Sequence, residues 1–194
     1  MARLRYLMLV SLDGYAVDAD GSFDWATPDE EVHAAVNDAS RDVGTYLYGR
    51  RMYETMHVWQ TMAPDHPGPD DPETGSPAVR DFAGLWRAAD KVVYSATLDD
   101  VTTPRTDLVA HFDPDEVRAL VEGSDRDVAV GGPTLAAAAF AADLVDAVQL
   151  FVMPVSVGGG LPALPHDLRV DLRLTAVRRF RSGVVQLDHD VVRA

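Results

Sequence analysis

The sequence has 194 residues, of which 47% are hydrophobic and 25% charged, a balance typical of a soluble globular protein and not of a disordered chain. Acidic residues outnumber Lys and Arg by 31 to 17, and the formal net charge of −14 argues against binding to nucleic acids or anionic membranes. Because the chain has no cysteine, disulfides, thiol nucleophiles and cysteine-ligated metals are excluded, and we expect a cytoplasmic protein with one domain over residues 1–194.

The first elements can be predicted from an apolar run and a helix-start pattern. The run Leu4–Val10 predicts a buried strand, and residues 11–24, rich in Gly and Asp, predict a loop. Thr27 as N-cap and Glu30 as the closing residue of a capping box predict a helix that continues to about residue 43. Gly44 is predicted to end this helix.

The rest of the chain alternates between strand and helix patterns and ends in two long strands. Strands are predicted over 45–48, 91–94, 107–112, 127–130 and 147–152, and helices over 49–56, 78–89, 113–122 and, after the glycine turn at 131–132, up to 142. Residues 169–180 and 184–192 predict a C-terminal antiparallel hairpin, while 64–77 and 154–165 predict loops. This order of elements predicts an α/β fold with a mixed sheet and helices on both faces.

Two glycine-containing turns have the residue types that a phosphate group needs. Gly131 and Gly132 follow a predicted strand and open a helix, where free backbone N–H groups and the helix N-terminus favour an anion. Gly49 is followed by Arg50 and Arg51, and an arginine at a helix start can bind a phosphate through two hydrogen bonds. Taken alone, the glycine pair is also compatible with a purely structural turn, and the arginine pair with solvated side chains. Together they predict a dinucleotide, although the G-x-G-x-x-G fingerprint is missing.

Other chemistries find less support in the sequence. The acidic turn that begins at Asp18 lacks the glycine spacing of an EF-hand and is better interpreted as a polar turn. No H-E-x-x-H zinc motif and no G-x-S-x-G nucleophile motif is present. Trp25 could wall a pocket or simply anchor a loop.

Six short segments, in this order, resemble those of the dihydrofolate-reductase-like family. They are YLMLVSLDGY at 6–15, DGSFDW at 20–25, LYGRRMYE at 47–54, VVYSATL at 92–98, VGGPTL at 130–135 and PVSVGGGLP at 154–162. In particular, the chain resembles stand-alone relatives of the reductase domain of bifunctional riboflavin-synthesis deaminase/reductases. The resemblance implies a three-layer fold with a mostly parallel sheet of about eight strands, and often a homodimer formed through the sheet edge and the C-terminal strands.

The resemblance also implies NADPH as cofactor and names the residues that would hold it. Gly49 and Arg50, with Arg51 as an alternative, correspond to the helix start near the adenosine 2′-phosphate and pyrophosphate. The remaining cofactor positions lie on three other segments: Ser95 and Thr97 at the adenosine end, Gly131, Gly132, Thr134 and Leu135 at the pyrophosphate turn, and Ala16 and Val17 beside the nicotinamide carboxamide.

For the substrate, the resemblance implies a small heterocycle, pterin-like or with a related C=N or C=O group. Trp25 corresponds to the tryptophan near the pterin of dihydrofolate reductases, and Glu30, with Asp29 and Glu31 beside it, to their catalytic carboxylate. Glu30 as a capping residue is the competing interpretation. Because the chain lacks the V-R-A-D stretch of the riboflavin reductases, 5-amino-6-(5-phosphoribosylamino)uracil is the alternative substrate. A non-catalytic nucleotide-binding module is the alternative outside the enzymes.

Overall fold

An eight-stranded sheet runs through the computed structural model, which describes residues 1–62 and 76–193. The strands are β1 (Leu4–Val10), β2 (Tyr15–Val17), β3 (Val43–Gly49), β4 (Asp90–Tyr94), β5 (Thr106–Val109), β6 (Asp127–Gly131), β7 (Ala147–Val152), β8 (Leu161–Pro162), β9 (Leu172–Arg179) and β10 (Val185–Val191). All of these strands except β2 and β8 form the large sheet, in the order β5-β4-β3-β6-β1-β7-β10-β9. Within this sheet, only β10 runs antiparallel to its neighbours. The prediction of a mostly parallel sheet with a C-terminal antiparallel hairpin is confirmed.

Helices cover both faces of this sheet, as predicted. They are α1 (Glu30–Ser40), α2 (Arg50–Met56), α3 (Pro77–Ala88), α4 (Pro114–Glu122) and α5 (Pro133–Ala141). On one face, Val32 of α1 and Trp86 of α3 belong to a core that includes Phe151 of the sheet. On the other face, Phe140 of α5 packs its ring edge-on against the buried Tyr6. Burying a large apolar side chain contributes about 1.5–3 kcal/mol, so these two cores hold the layers together.

The N-terminal cap of α1 differs from the prediction. Asp29, not Thr27, is the N-cap, and its side chain accepts a hydrogen bond from the backbone N–H of Val32 at 2.8 Å. Thr27 instead follows a short 3-10 helix, Asp24–Ala26, and its hydroxyl donates to the carbonyl of Asp24. The predicted N-cap was therefore two residues too early, because both residue types satisfy the same capping pattern.

The predicted end of α1 was also wrong. The helix ends at Ser40, and residue 43 and Gly44 belong to β3. Val43 is buried and pairs with Asp127 of β6. A Cβ atom on Gly44 would lie 2.9 Å from Cβ of Arg126, so this glycine permits a close approach between segments. The helical spacing of Val43 was therefore accidental, and burial in the sheet decides its conformation.

A small second sheet lies in two segments that were predicted to be loops. β2 and β8 pair antiparallel, within 11–24 and 154–165 respectively. Strands of three and two residues are too short to show a periodic pattern in sequence. β5 and β9 are shorter than predicted, and most of the predicted proline-rich loop lies outside the described residues.

The two turns predicted to bind phosphate lie at the carboxyl ends of parallel strands. α2 begins directly after β3, and α5 directly after the glycine turn that follows β6. Val185 of β10 pairs with Val152 of β7, which places the hairpin turn before β10 at this same edge. In open α/β sheets, ligands bind outside the carboxyl ends of the strands.

Candidate active site

Arg50, the first residue of α2, lies at the centre of a polar cluster. Its Nε donates to Glu54 Oε1 at 2.7 Å, and its Nη1 donates to Thr97 Oγ1 at 3.2 Å. The Ser95 hydroxyl in turn accepts the backbone N–H of Thr97 at 3.2 Å. Hydrogen bonding to Glu54 raises the pKa of Arg50, which keeps the guanidinium charged. The structure thus brings Arg50, Ser95 and Thr97 together, as expected if they share one binding site.

The second predicted phosphate turn follows β6. Gly131 pairs with Tyr48 of β3, and a Cβ atom on it would lie 2.6 Å from Cε1 of Tyr48. Gly132 has φ of +84° and is the N-cap of α5. Both glycines therefore have a structural reason to be present. Among the described side chains none caps α5, so the first-turn N–H groups of Thr134 and Leu135 lack this usual partner.

The starts of α2 and α5 adjoin each other. A Cβ atom on Gly49 would lie 4.0 Å from Cβ of Leu135, and one on Gly132 would lie 3.2 Å from Cβ of Met52 in α2. Arg51 is exposed on the same short helix, and within the described chain it forms no ion pair. Arg50 and Arg51 therefore belong to a helix whose start adjoins the uncapped N-terminus of α5, and such an N-terminus favours an anion.

Ala16 and Val17 lie in β2, which closes against β8. Ala16 is buried and packs in a small core with Val10 and Ala163. Gly160, with φ of +135°, lies directly against the backbone of Val17, where any Cβ atom would overlap the Val17 carbonyl oxygen. The position of this backbone segment is therefore set by the chain that follows β7.

Asp13 connects two loops close to this backbone segment, and no local sequence pattern indicated this contact. Its carboxylate accepts three hydrogen bonds from residues 156–158. This segment leads directly to Gly160, which packs against Val17. Hydrogen bonds from the Ser11 side chain and from this segment hold the pKa of Asp13 below its usual range. The available signal was its place in the segment YLMLVSLDGY at 6–15, which resembles the family but does not indicate a partner for Asp13.

Trp25 lies in the 3-10 helix that precedes α1. Its indole Nε1 donates to the carbonyl of Ser22 at 3.3 Å, and its ring is partly buried against the core that contains Met153 and Phe180. The Phe180 side chain comes from the hairpin turn at the carboxyl edge. Part of the Trp25 side chain remains accessible to solvent.

Glu30 does not close a capping box on its own helix, which corrects that interpretation. Its carboxylate accepts a hydrogen bond from the Ser76 hydroxyl and another from the backbone N–H of Ala78 at 3.1 Å, both at the start of α3. These hydrogen bonds, chiefly that from Ser76, lower the pKa of Glu30. A carboxyl group that stays ionised is a poor proton donor at neutral pH.

The two neighbouring acids are engaged as well. Asp29 caps α1, and Glu31 accepts the backbone N–H of Arg181 at 3.3 Å from the C-terminal hairpin. Three consecutive carboxylates therefore bind backbone N–H groups of three different segments. This explains the acidic run without a catalytic role, although it leaves one oxygen of Asp29 without a described partner.

The described residues contain no cluster of His, Asp and Glu that could hold a metal ion. Asp18 Oδ1 accepts the backbone N–H groups of Asp20 and Ser22, so the acidic segment is a polar turn, as predicted. Across residues 1–62 and 76–193, none of the helices has the length and apolar character needed to cross a membrane.

Comparison with protein families agrees with this geometry. The family described as the RibD C-terminal domain matches residues 2–186. This chain belongs to the RibD C-terminal domain family. The resemblance seen in the six short segments is thereby confirmed, and with it the prediction that the chain is an oxidoreductase of the reductase type.

Solved structures share the fold at low sequence identity. A protein of Shewanella sp. PV-4 assigned to riboflavin biosynthesis is 18% identical with a TM-score of 0.71, over 98% of this chain and 99% of that one. The deaminase/5-amino-6-(5-phosphoribosylamino)uracil reductase of Thermotoga maritima is 15% identical with a TM-score of 0.64, over 98% of this chain and 57% of that one. Dihydrofolate reductase from Enterococcus faecalis, complexed with NADP(H) and RAB-propyl, is 13% identical with a TM-score of 0.61, over 97% and 94%. The comparison with curated proteins found no match.

Proposed function

We propose that this RibD-type reductase domain, spanning residues 1–194, uses NADPH to reduce a small heterocyclic substrate, pterin-like or with a related C=N or C=O group. The observation that supports this most directly is the meeting of predicted cofactor residues from separate segments. Arg50, Thr97 and Ser95 form one hydrogen-bonded cluster, and the α2 start that carries Arg50 adjoins the uncapped start of α5.

The chemistry of these groups fits the two anionic parts of NADPH. Arg50 and Arg51 offer fixed positive charge to a 2′-phosphate, which NADH lacks. The first-turn N–H groups of α5, at Thr134 and Leu135, have no side-chain cap from Gly132 and suit a pyrophosphate. When bound, NADPH supplies the hydride. The chain itself supplies binding and orientation.

The remaining predicted residues have two proposed roles: orienting the cofactor and substrate, and supplying a proton. We assign the backbone of Ala16 and Val17 to orientation of the carboxamide, and Trp25 to the wall of the substrate site. For the proton, Glu30, Asp29 and ordered water are the alternatives. Because the hydrogen bonds at Glu30 favour its ionised form, we favour ordered water or Asp29 over Glu30.

Family membership favours a second substrate candidate. The Thermotoga maritima relative carries a 5-amino-6-(5-phosphoribosylamino)uracil reductase within a longer chain, of which the present sequence matches 57%. The same cofactor site would serve that pyrimidine substrate. A non-catalytic nucleotide-binding module would keep the cofactor site and turn over neither substrate.

A cytoplasmic homodimer is part of the proposal. β9 is an edge strand, and its Leu174 and Val177 side chains are 52% and 58% exposed. Apolar side chains on an open edge are usually covered by a partner. Light scattering after size-exclusion chromatography should give twice the chain mass, and Val177→Lys should shift it toward the monomer.

The proposal is tested first by calorimetric titration with NADPH and NADH at fixed salt. We expect NADPH to bind more tightly than NADH. Loss of NADPH absorbance is then followed with dihydrofolate and with 5-amino-6-(5-phosphoribosylamino)uracil as substrates. Turnover of one of them assigns the substrate class, binding without turnover of either supports the module, and absence of NADPH binding overturns the proposal.

A further inference from the structure

Asp13 ties together two loops that are distant in sequence. Its Oδ1 accepts the backbone N–H of Val157 at 3.1 Å, and its Oδ2 accepts the Ser156 hydroxyl at 2.9 Å and the backbone N–H of Gly158 at 2.7 Å. A backbone hydrogen bond from Leu12 to the carbonyl of Val155, at 2.7 Å, adds to this junction. The loop after β1 and the loop after β7 therefore form one unit.

This unit fixes the backbone beside which the nicotinamide is expected. Directly after the segment held by Asp13, Gly160 packs against the Val17 carbonyl. On the other side, the backbone N–H of Ala163 donates to the carbonyl of Gly14 at 2.9 Å, and β8 pairs with β2. A shift of residues 156–160 would therefore move Val17 directly.

Three hydrogen-bond donors point at the Asp13 side chain, which needs two accepting oxygens to bind all of them. An ionised carboxylate satisfies them all, whereas an asparagine amide would turn an N–H group toward at least one N–H or O–H donor. Asp13 is exposed to solvent, so its hydrogen bonds serve to hold the loop rather than to fill the core. Charge-assisted hydrogen bonds of this kind are stronger than neutral ones.

We propose that Asp13 is a positioning residue for the nicotinamide end of the cofactor: it holds residues 156–158 so that Gly160 keeps Ala16 and Val17 in register with the carboxamide. This inference rests on the proposed NADPH binding. The 2′-phosphate end, at Arg50 and Thr97, belongs to a different part of the sheet edge and does not depend on Asp13.

The test compares two ligands that differ only at the nicotinamide end. The full chain, as wild type, Asp13→Asn and Ser156→Ala, is titrated by calorimetry with NADPH and with 2′-phospho-ADP-ribose, which lacks the nicotinamide. Asp113→Asn is the matched control, because the Asp113 carboxylate also accepts two backbone N–H groups, but at the start of α4. Thermal unfolding of each variant verifies that it is folded.

We expect Asp13→Asn to weaken NADPH binding about tenfold while 2′-phospho-ADP-ribose changes by less than about twofold. Ser156→Ala should give a smaller effect in the same direction, and Asp113→Asn none. Equal weakening of both ligands, or unchanged NADPH binding by Asp13→Asn, would overturn the role of Asp13 alone. If the wild type binds neither ligand, the proposed function fails and this inference with it.

Discussion

Glu30 on α1 caps the beginning of α3, because its Oε1 accepts the backbone N–H of Ala78 at 3.1 Å. A carboxylate at a helix N-terminus satisfies a free N–H group and interacts favourably with the helix dipole. The residue that the resemblance identifies as a proton donor thus joins two helices. Stability and catalysis can be separated at this position by substitution.

Glu30→Gln should lower the melting temperature and leave the rate of NADPH-dependent reduction within about twofold of wild type. The folded-state pKa of Glu30 lies below its ordinary value of 4.5, so its stabilising effect is present above that pH and is lost as the pH falls through the folded-state pKa. The difference in melting temperature between wild type and variant should therefore shrink on acidification. A loss of rate by a factor of a hundred or more, at unchanged melting temperature, would instead identify Glu30 as the proton donor.

Arg50→Gln should weaken NADPH binding about tenfold or more and NADH binding by less than about twofold, because only NADPH carries the 2′-phosphate. Calorimetric titration measures both. Arg118→Gln is the matched control, since Arg118 forms an ion pair within α4 with Asp115, as Arg50 does within α2 with Glu54. Equal weakening of the two cofactors would show that Arg50 does not recognise the phosphate.

Lys91, the only lysine of the chain, is buried at the start of β4 and donates to the carbonyls of Trp86 and Ala89 at the end of α3. Burial lowers its pKa from 10.5 to about 8. Because the unfolded chain then binds more protons between these two values, the contribution of Lys91 to stability increases as the pH rises from about 8 to 10.5.

Urea unfolding of wild type and Lys91→Met at several pH values tests this dependence. The free energy of unfolding of the wild type should rise relative to that of Lys91→Met across this window. Comparison with the variant removes the effect of the buried tyrosines, which titrate in both proteins. A difference that stays constant with pH would contradict the lowered pKa.

Gly131→Ala should destabilise the fold by about 1–3 kcal/mol, because the new methyl group meets the buried ring of Tyr48. Gly132→Ala should cost roughly 1 kcal/mol or more, because of its positive φ and because the new methyl group lies 3.2 Å from Cβ of Met52. Gly84→Ala, in the middle of α3 where nothing lies within 4 Å, should instead stabilise by up to about 1 kcal/mol. Denaturant unfolding of the three variants measures these differences.

The sequence predicted the parts of the fold whose signal is local. Leu4–Val10 and β7 were correct at both ends because short, predominantly apolar runs mark buried strands. Asp113 and the glycine turn at Gly132 marked the starts of α4 and α5 through capping chemistry. Where two residues only two positions apart could both cap, as at Thr27 and Asp29, the pattern could not choose between them.

The sequence could not predict contacts between distant segments. Glu30 and Ser76 are separated by 46 positions, and Asp13 and Gly158 by 145, so no local pattern links them. Arg50 and Thr97 were placed at one site only by resemblance, and their hydrogen bond supports that placement. The cofactor and substrate assignments of the individual residues remain predictions for the titrations above.

The buried position of Lys91 makes the chain suited to selective chemical labelling. In the folded protein, an amine-directed acylating reagent should react only with the N-terminal amino group. The single ε-amino group, that of Lys91, is buried beneath the Trp86 ring, 4.3 Å from its centroid. A dye can therefore be attached at one defined end without any engineered residue. A second label on the same molecule would report that the end of α3 has opened, and its rate of appearance would time that opening.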